Sequence, residues 1–304
     1  MTVRSVFRRL AETAIHIGLV IGAGAVAMTA LASALNANAA GTWRYGLLVG
    51  TSTAALYSFH RLVSLKRRPA GQRIGRFAAL ERDAGLIRLA LLAWTIATVV
   101  LAAAVLDPVL FAWMLPAILL SLAYVMPVTR SGRRLRDLGG AKIFWIALAW
   151  AWLTAFIPGY VLSGLALLNS SVLFLQRFFF IAALCLPFDV RDRPSDREAG
   201  LPNLTASLSE KQVMRLGRWL MGLAVFFAVF NGVHYFNPYY ALVTVLLFIP
   251  YVRLLRASFT RTDDLLYSGL GDGFMVIAWL LFLLLPYIHL LVAALLYGLI
   301  DDSL

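Results

Sequence analysis

Long apolar stretches alternate with short polar stretches along the whole chain. Nine apolar stretches lie at about 14–35, 43–62, 86–106, 108–128, 141–162, 168–188, 214–236, 238–256 and 268–299. A helix needs about 20 consecutive apolar residues to cross the hydrocarbon core of a bilayer. The pattern therefore predicts an all-α, polytopic integral membrane protein with nine transmembrane helices.

The composition supports this interpretation. Of the 304 residues, 61% are hydrophobic and 14% are charged, whereas about a quarter of the residues in an ordinary soluble domain are charged. This excess of apolar surface excludes a cytosolic enzyme and a disordered chain. We expect one transmembrane domain over residues 1–304, with cytoplasmic loops at about 63–85, 129–140, 189–213 and 257–267.

The basic residues indicate how the chain is oriented. Of the 27 Lys and Arg residues, 25 fall in the N-terminal segment or in loops that a nine-helix topology places on the same side. Because basic loops remain in the cytoplasm, we expect a cytoplasmic N-terminus and an external C-terminus, in a bacterial inner membrane. Topology thus accounts for the net charge of +12, and no nucleic-acid partner is expected.

Acidic residues are scarce, and three of them are regularly spaced after the sixth apolar stretch. Asp189, Asp192 and Asp196 would share one stripe of a helix. Carboxylates crowded on a stripe repel one another, and a hard divalent cation relieves that repulsion. The spacing is thus compatible with a metal site. The alternative is a solvated loop whose acids are neutralised by interspersed arginines.

Proline complicates the geometry of this acidic segment. Pro194 lies between Asp192 and Asp196, and a proline inside a helix removes a backbone hydrogen bond. We therefore expect Asp189 and Asp192 to end one helix, and Asp196 to follow a break and fold back.

At this point the chain resembles the UbiA-type intramembrane prenyltransferases. The resemblance covers about residues 43 to 290 and rests on motifs that occur in the family's order. These are Asp189-x-x-Asp192-x-x-x-Asp196, Tyr124-Val-Met-Pro127-Val-Thr-Arg130, Lys142 at the start of the fifth stretch, and Asp272-Gly273 near the start of the ninth.

The resemblance implies a reaction and a set of roles. Such enzymes transfer an isoprenoid group from a polyprenyl diphosphate to a small lipophilic acceptor, with Mg²⁺ stabilising the leaving group. It implies catalytic roles for Asp189, Asp192, Asp196, Lys142 and Tyr124, with the three aspartates as ligands of one Mg²⁺. Diphosphate binding falls to His60, Arg61, Lys66 and Arg130, and Tyr57 and Asp272 shape the pocket. Membrane lipids are the remaining partners.

The sequence departs from the family at the first acidic motif, which should end the second helix. The residues there are Tyr57-Ser58-Phe59-His60-Arg61-Leu62, and no Asp or Glu occurs between Glu12 and Glu81. A second Mg²⁺ site therefore lacks its ligands. Two interpretations follow. Either arginines bind phosphate oxygens directly, or the protein is a non-catalytic lipid-binding or scaffold homologue.

One basic residue lies inside an apolar stretch. Arg177 falls near the middle of the sixth stretch, where a charge in contact with lipid is costly. We expect its side chain to face the protein interior or to extend toward the interface.

Overall fold

A computed structural model of the chain describes residues 3–35, 42–66, 68, 71, 75–126, 134–135, 139–198, 200, 202–234, 237–261 and 265–301. Over these residues the fold is helical. The α-helices are α1 (Val3–His16), α2 (Leu19–Ser33), α3 (Thr42–Lys66), α4 (Arg76–Arg82), α5 (Ala84–Val105), α6 (Pro108–Val125), α7 (Lys142–Ala151), α8 (Leu167–Glu198), α9 (Glu210–His234), α10 (Pro238–Ala257) and α11 (Asp272–Asp301). Two π-helical segments, Trp152–Leu162 and Leu265–Gly271, continue α7 and precede α11.

Each predicted apolar stretch overlaps a helix, but the count of nine membrane spans is not confirmed. Within the described ranges, seven helices are long and apolar enough to cross a membrane, and eight are if the bent pair α1–α2 forms one span. Helix α3 is 25 residues long but is not among them. It carries Arg44 and many Ser and Thr residues, which reduce its apolar character.

Helices α8 and α2 organise the bundle. Helix α8 packs against α7 and α9, and α2 packs against α3 and α11. Gly22 and Gly50 allow α2 and α3 to approach closely, since a Cβ atom at Gly22 would lie 2.9 Å from the Gly50 carbonyl oxygen. Small residues at helix contacts are typical of membrane bundles, because backbones must approach closely to gain van der Waals contact.

The first two helices meet at a sharp bend. The axes of α1 and α2 differ by 65°, and Gly18 between them has a left-handed backbone with φ of 81°. A Cβ atom at this position would also lie 2.7 Å from the carbonyl oxygen of Ala54 on α3. Glycine thus satisfies both the backbone conformation and the close approach.

Arg177 faces the protein interior and joins three elements. It is 1% exposed, and its Nη1 atom donates to the carbonyl oxygen of Met28 on α2 at 2.9 Å. The same atom donates to the Oγ1 and the carbonyl oxygen of Thr154, in the π-helical segment, at 2.9 and 3.2 Å. Interior hydrogen bonds at Nη1 therefore stabilise the charge that the sequence places within a span.

The predicted break at Pro194 is wrong. Helix α8 continues through Pro187 and Pro194 to Glu198. Two side chains donate hydrogen bonds to backbone carbonyls of this segment. Ser195 Oγ donates to the carbonyl of Asp192 at 3.0 Å, and Asn203 Nδ2 donates to that of Asp189 at 2.8 Å. Asp189, Asp192 and Asp196 therefore all lie on one uninterrupted helix.

Candidate functional site

A cavity of about 630 Å³ lies at one end of the bundle. Its polar lining comes from the C-terminal parts of α3, α6 and α8 and from the N-terminal ends of α7 and α11. The antiparallel course of consecutive helices brings these ends to the same side, and the polar residues of distant segments thus meet around one space.

Most of the predicted site residues share this cavity. Those that line it are Tyr57, His60, Arg61, Tyr124, Lys142, Asp189, Asp192, Asp196 and Asp272. Lys66 is exposed at the end of α3 and is not part of the lining. Arg130 lies outside the described residues. The roles assigned to these residues remain predictions.

Lys142 lies between two of the three aspartates. Its Nζ atom is 2.7 Å from Asp189 Oδ1 and 2.6 Å from Asp196 Oδ2, and all three residues are buried. Lys142 begins α7, while the aspartates lie two turns apart near the end of α8. A single ammonium group therefore bridges the two carboxylates and joins the two helices.

The same carboxylates bind the chain that follows α8. Asp189 Oδ2 accepts a hydrogen bond from the backbone N–H of Thr205 at 3.0 Å, and Asp196 Oδ2 accepts one from Asn203 Nδ2 at 2.9 Å. Asn203 Oδ1 in turn accepts from Thr205 Oγ1 and from the backbone N–H of Ala206. Buried polar groups are thus satisfied within one network that positions this segment beside the cavity.

The third aspartate has different partners. Asp192 Oδ1 lies 3.1 Å from Arg76 Nη1 and 3.0 Å from Arg191 Nε. Arg76 begins α4, so this ion pair anchors the short helix between α3 and α5 to α8. The three carboxylates therefore lie on one helix, as the spacing predicts, but they pair with two distinct sets of cations.

Sequence reasoning missed several basic residues of the site. Arg68, Arg76, Arg134 and Arg191 also line the cavity. By sequence, the basic loop 61–82 that carries Arg68 and Arg76 is open to topology with lipid contact or to phosphate binding, whereas Arg134 is explained by topology and Arg191 as a neutralising charge. The sequence alone does not distinguish a site role, because a basic loop is expected both for membrane orientation and for binding anionic phosphate groups. Their shared position at the cavity is the observation that the sequence does not provide.

The other part of the cavity is apolar. It is lined by Ile21, Leu56, Leu120, Ile146, Ala149, Trp150, Ile181, Leu184 and Met275. These residues come from α2, α3, α6, α7, α8 and α11. The cavity thus joins a highly charged region to an apolar region, which suits an amphipathic ligand with an anionic head.

The described residues do not form a ready divalent-metal site. No group of three or more His, Cys, Asp or Glu residues among them is placed to hold a metal ion. Mg²⁺ prefers an octahedron of oxygen ligands at about 2.0–2.1 Å. Here Lys142 lies between the carboxylates of Asp189 and Asp196, and Asp192 is engaged by two arginines. The predicted Mg²⁺ site therefore does not fit the donor set as it stands.

Comparison with known proteins identifies the fold. No protein-family model and no curated protein matches the sequence. The chain is similar to a solved UbiA homologue from Archaeoglobus fulgidus bound to Cd²⁺, with 14% identity over 89% of this chain and 99% of that one and a TM-score of 0.58. A second structure of a UbiA homologue from Archaeoglobus fulgidus gives 15% identity over 91% of this chain and 98% of that one, with a TM-score of 0.54. The protein is therefore a multi-pass membrane protein with the UbiA-type prenyltransferase fold.

Proposed function

We propose that the protein is a membrane prenyltransferase that binds a polyprenyl diphosphate and transfers its isoprenoid group to a small lipophilic acceptor. The observation that carries this proposal is the cavity, whose charged end and apolar end match the two parts of such a donor. The UbiA-type fold supports it, because the solved UbiA homologues share this arrangement of helices.

The diphosphate would lie among the basic groups at the charged end. Arg61, Arg76 and Arg134 line this end together with Lys142. A guanidinium group is planar and binds two phosphate oxygens at once, so arginines suit an anionic head group without an intervening metal. The prenyl chain would extend among the apolar residues, with the Trp150 ring facing the reacting end.

The reaction breaks the bond between the allylic carbon and the phosphate oxygen. Diphosphate leaves with the electron pair, a nucleophilic atom of the acceptor bonds to the allylic carbon, and the acceptor loses a proton. The ammonium and guanidinium groups at the charged end stabilise the charge that develops on the leaving oxygen. Because Lys142 already lies between Asp189 and Asp196, we assign this stabilisation to the side chains of the protein.

A second candidate function is a non-catalytic lipid-binding or scaffold protein. It is favoured by the ion pairs of the acidic segment and by the lack of acids in the first motif. Such a protein would bind an isoprenoid lipid in the same cavity and leave its diphosphate bond intact.

Turnover measurements separate the two functions. Purified protein in nanodiscs is incubated with radiolabelled prenyl diphosphates of several chain lengths and a membrane-lipid extract as acceptor, with Mg²⁺ or with EDTA. We expect release of diphosphate, and at least a tenfold loss of it in Arg61→Ala, as expected for removal of a charge-stabilising group (about 10²-fold). Lys211→Ala, which alters an exposed lysine on α9, should match the wild type.

Each other outcome has a defined meaning. Saturable binding of the labelled donor without release of diphosphate supports the non-catalytic function. A complete lack of binding contradicts both. We further propose that the charged end of the cavity opens to the cytoplasm of a bacterial cell, since Arg68, Arg76 and Arg134 line it and basic segments remain in the cytoplasm. Cysteine labelling of intact and opened cells at Arg76→Cys tests this orientation.

A further inference from the structure

The acidic segment of α8 resembles a metal-binding motif in sequence, but in the structure a lysine side chain lies between its carboxylates. Lys142 Nζ lies 2.7 Å from Asp189 Oδ1 and 2.6 Å from Asp196 Oδ2. These are the distances of strong, charge-assisted hydrogen bonds. The ammonium group therefore occupies the position between the two carboxylates that a bridging cation would take.

Because all three side chains are buried, separating Lys142 from the two carboxylates costs free energy. Lys142, Asp189 and Asp196 are 8%, 1% and 6% exposed. Removing one partner of a buried ion pair leaves an uncompensated charge, which strongly destabilises the fold. A divalent ion that displaced Lys142 would leave the ammonium buried without its counter-ions, in addition to losing its own hydration shell.

One oxygen of each of these two carboxylates also accepts a hydrogen bond from the chain that follows α8. Asp189 Oδ2 accepts from the Thr205 N–H, and Asp196 Oδ2 also accepts from Asn203 Nδ2. Mg²⁺ retains several waters and demands nearly octahedral geometry, and this network leaves each carboxylate fixed by a protein donor. Asp192 does not complete the set, because Arg76 and Arg191 engage it.

We infer that Lys142 is a tethered cation that replaces a divalent metal at Asp189 and Asp196, so that the protein binds diphosphate at this motif without Mg²⁺. The second part rests on the proposed function. An ammonium group has three N–H donors, and Lys142 donates one of them to Asp196 Oδ2 while it pairs with the Asp189 carboxylate. A remaining donor would serve a phosphate oxygen in the cavity that Lys142 lines.

Metal binding by the protein alone tests the first part. Mn²⁺ binding to wild type, Lys142→Met and Lys211→Met in nanodiscs is measured by electron paramagnetic resonance, with Mg²⁺ as competitor. We expect wild type and the Lys211→Met control to bind no stoichiometric Mn²⁺. Lys142→Met should gain one Mn²⁺ site per chain that the wild type and the control lack, because two buried carboxylates lose their counter-ion.

Two results would overturn this part. One is stoichiometric Mn²⁺ in the wild type that disappears in Asp189→Asn. The other is a folded Lys142→Met variant that binds no more Mn²⁺ than the control. If Lys142→Met does not fold, the wild-type measurement decides alone, since a metal-free wild type supports the inference and an Asp189-dependent site contradicts it.

Binding of inorganic diphosphate tests the second part without any isoprenoid. Calorimetry of the wild type should give dissociation constants within about twofold with Mg²⁺ and with EDTA, since the expected coupling to a metal is close to zero. A loss of tenfold or more in EDTA would overturn the metal-free site. Neither experiment depends on prenyl transfer, and failure of the proposed enzyme activity is therefore distinguishable from failure of this inference.

Discussion

The Nδ1 atom of His16 lies 2.7 Å from Oδ2 of Asp83, and both side chains are buried. This contact joins the end of α1 to the turn between α4 and α5. Arg82 donates to both oxygens of the same carboxylate at 2.9 and 3.1 Å. Asp83 therefore holds together two segments that lie 67 positions apart in sequence, next to the cavity that His16 lines.

We predict that Asp83→Asn lowers stability and reduces its dependence on acid pH. The Arg82 guanidinium lowers the pKa of Asp83 from 3.8 to about 2, opposed by burial and reinforced by the His16 hydrogen bond. A carboxyl group with a lowered pKa in the folded state stabilises the fold above its unfolded pKa, and this contribution is lost as pH falls toward the folded pKa. At neutral pH we expect the substitution to cost about 1–3 kcal/mol.

Melting temperatures in detergent check this prediction. The difference between wild type and Asp83→Asn should be largest near neutral pH and should narrow as pH falls from about 4 toward about 2. A difference that stays constant over this range, or that widens on acidification, would contradict the assigned role of the carboxylate.

Helix positions were largely predictable from the sequence, because length and continuous apolar character identify a span without any knowledge of packing. All nine predicted stretches overlap helices, and Arg177 faces the interior as one of its two expected placements. The bend at Gly18 and the π-helical segments were not predicted, since they depend on packing against neighbouring helices. The continuity of α8 through Pro194 was not predicted either. Ser195 and Asn203 donate hydrogen bonds to backbone carbonyls near this proline, and such contacts depend on packing.

Which residues line the cavity was more predictable from the sequence than which of their side chains pair with each other. The resemblance assigns catalytic roles to both Lys142 and Asp196 and makes Asp196 a metal ligand, but it does not predict that the two side chains pair with each other. The two residues are 54 positions apart and bond each other directly. Spacing along a chain reports which face of a helix a residue occupies, whereas the choice among several nearby cations depends on the approach of other helices.

We predict that Gly18→Ala destabilises the protein strongly. The left-handed backbone costs a residue with a side chain about 1–2 kcal/mol, and the new Cβ atom would lie 2.7 Å from the Ala54 carbonyl oxygen. A lower melting temperature in detergent is the measurement. Gly222→Ala on α9 is the matched control, because no atom lies within 4 Å of its Cβ position. The control should be neutral or slightly stabilising, and equal effects at both sites would contradict the prediction.

We predict that Arg177 and Thr154 are energetically coupled. Arg177→Met removes three hydrogen bonds to α2 and the π-helical segment, and we expect a cost of about 1–3 kcal/mol. Thr154→Val removes one of them and should cost less. In a double-mutant cycle, coupling of about 0.5 kcal/mol or more supports the contact, and strict additivity of the two changes in unfolding free energy would show that the bond contributes nothing.

We predict that α1 lies in the plane of the membrane interface. It is bent by 65° from α2, and its exposed apolar residues Val6, Phe7 and Leu10 lie on one face, away from Arg8 and Arg9. A helix with one apolar and one basic face inserts its apolar face about 5–10 Å into the boundary between headgroups and acyl chains. The basic face then contacts anionic headgroups.

Spin labels at neighbouring positions measure this placement. In a Cys185→Ser background, which removes the single native cysteine, a label at Leu10→Cys should collide more with oxygen dissolved in lipid than with a water-soluble nickel complex. A label at Arg9→Cys should show the reverse, since adjacent residues on a helix are about 100° apart. Anionic lipid should increase the contrast between the two positions. Equal exposure of both labels to the nickel complex would mean that α1 extends into water, and its apolar face would then need a protein partner.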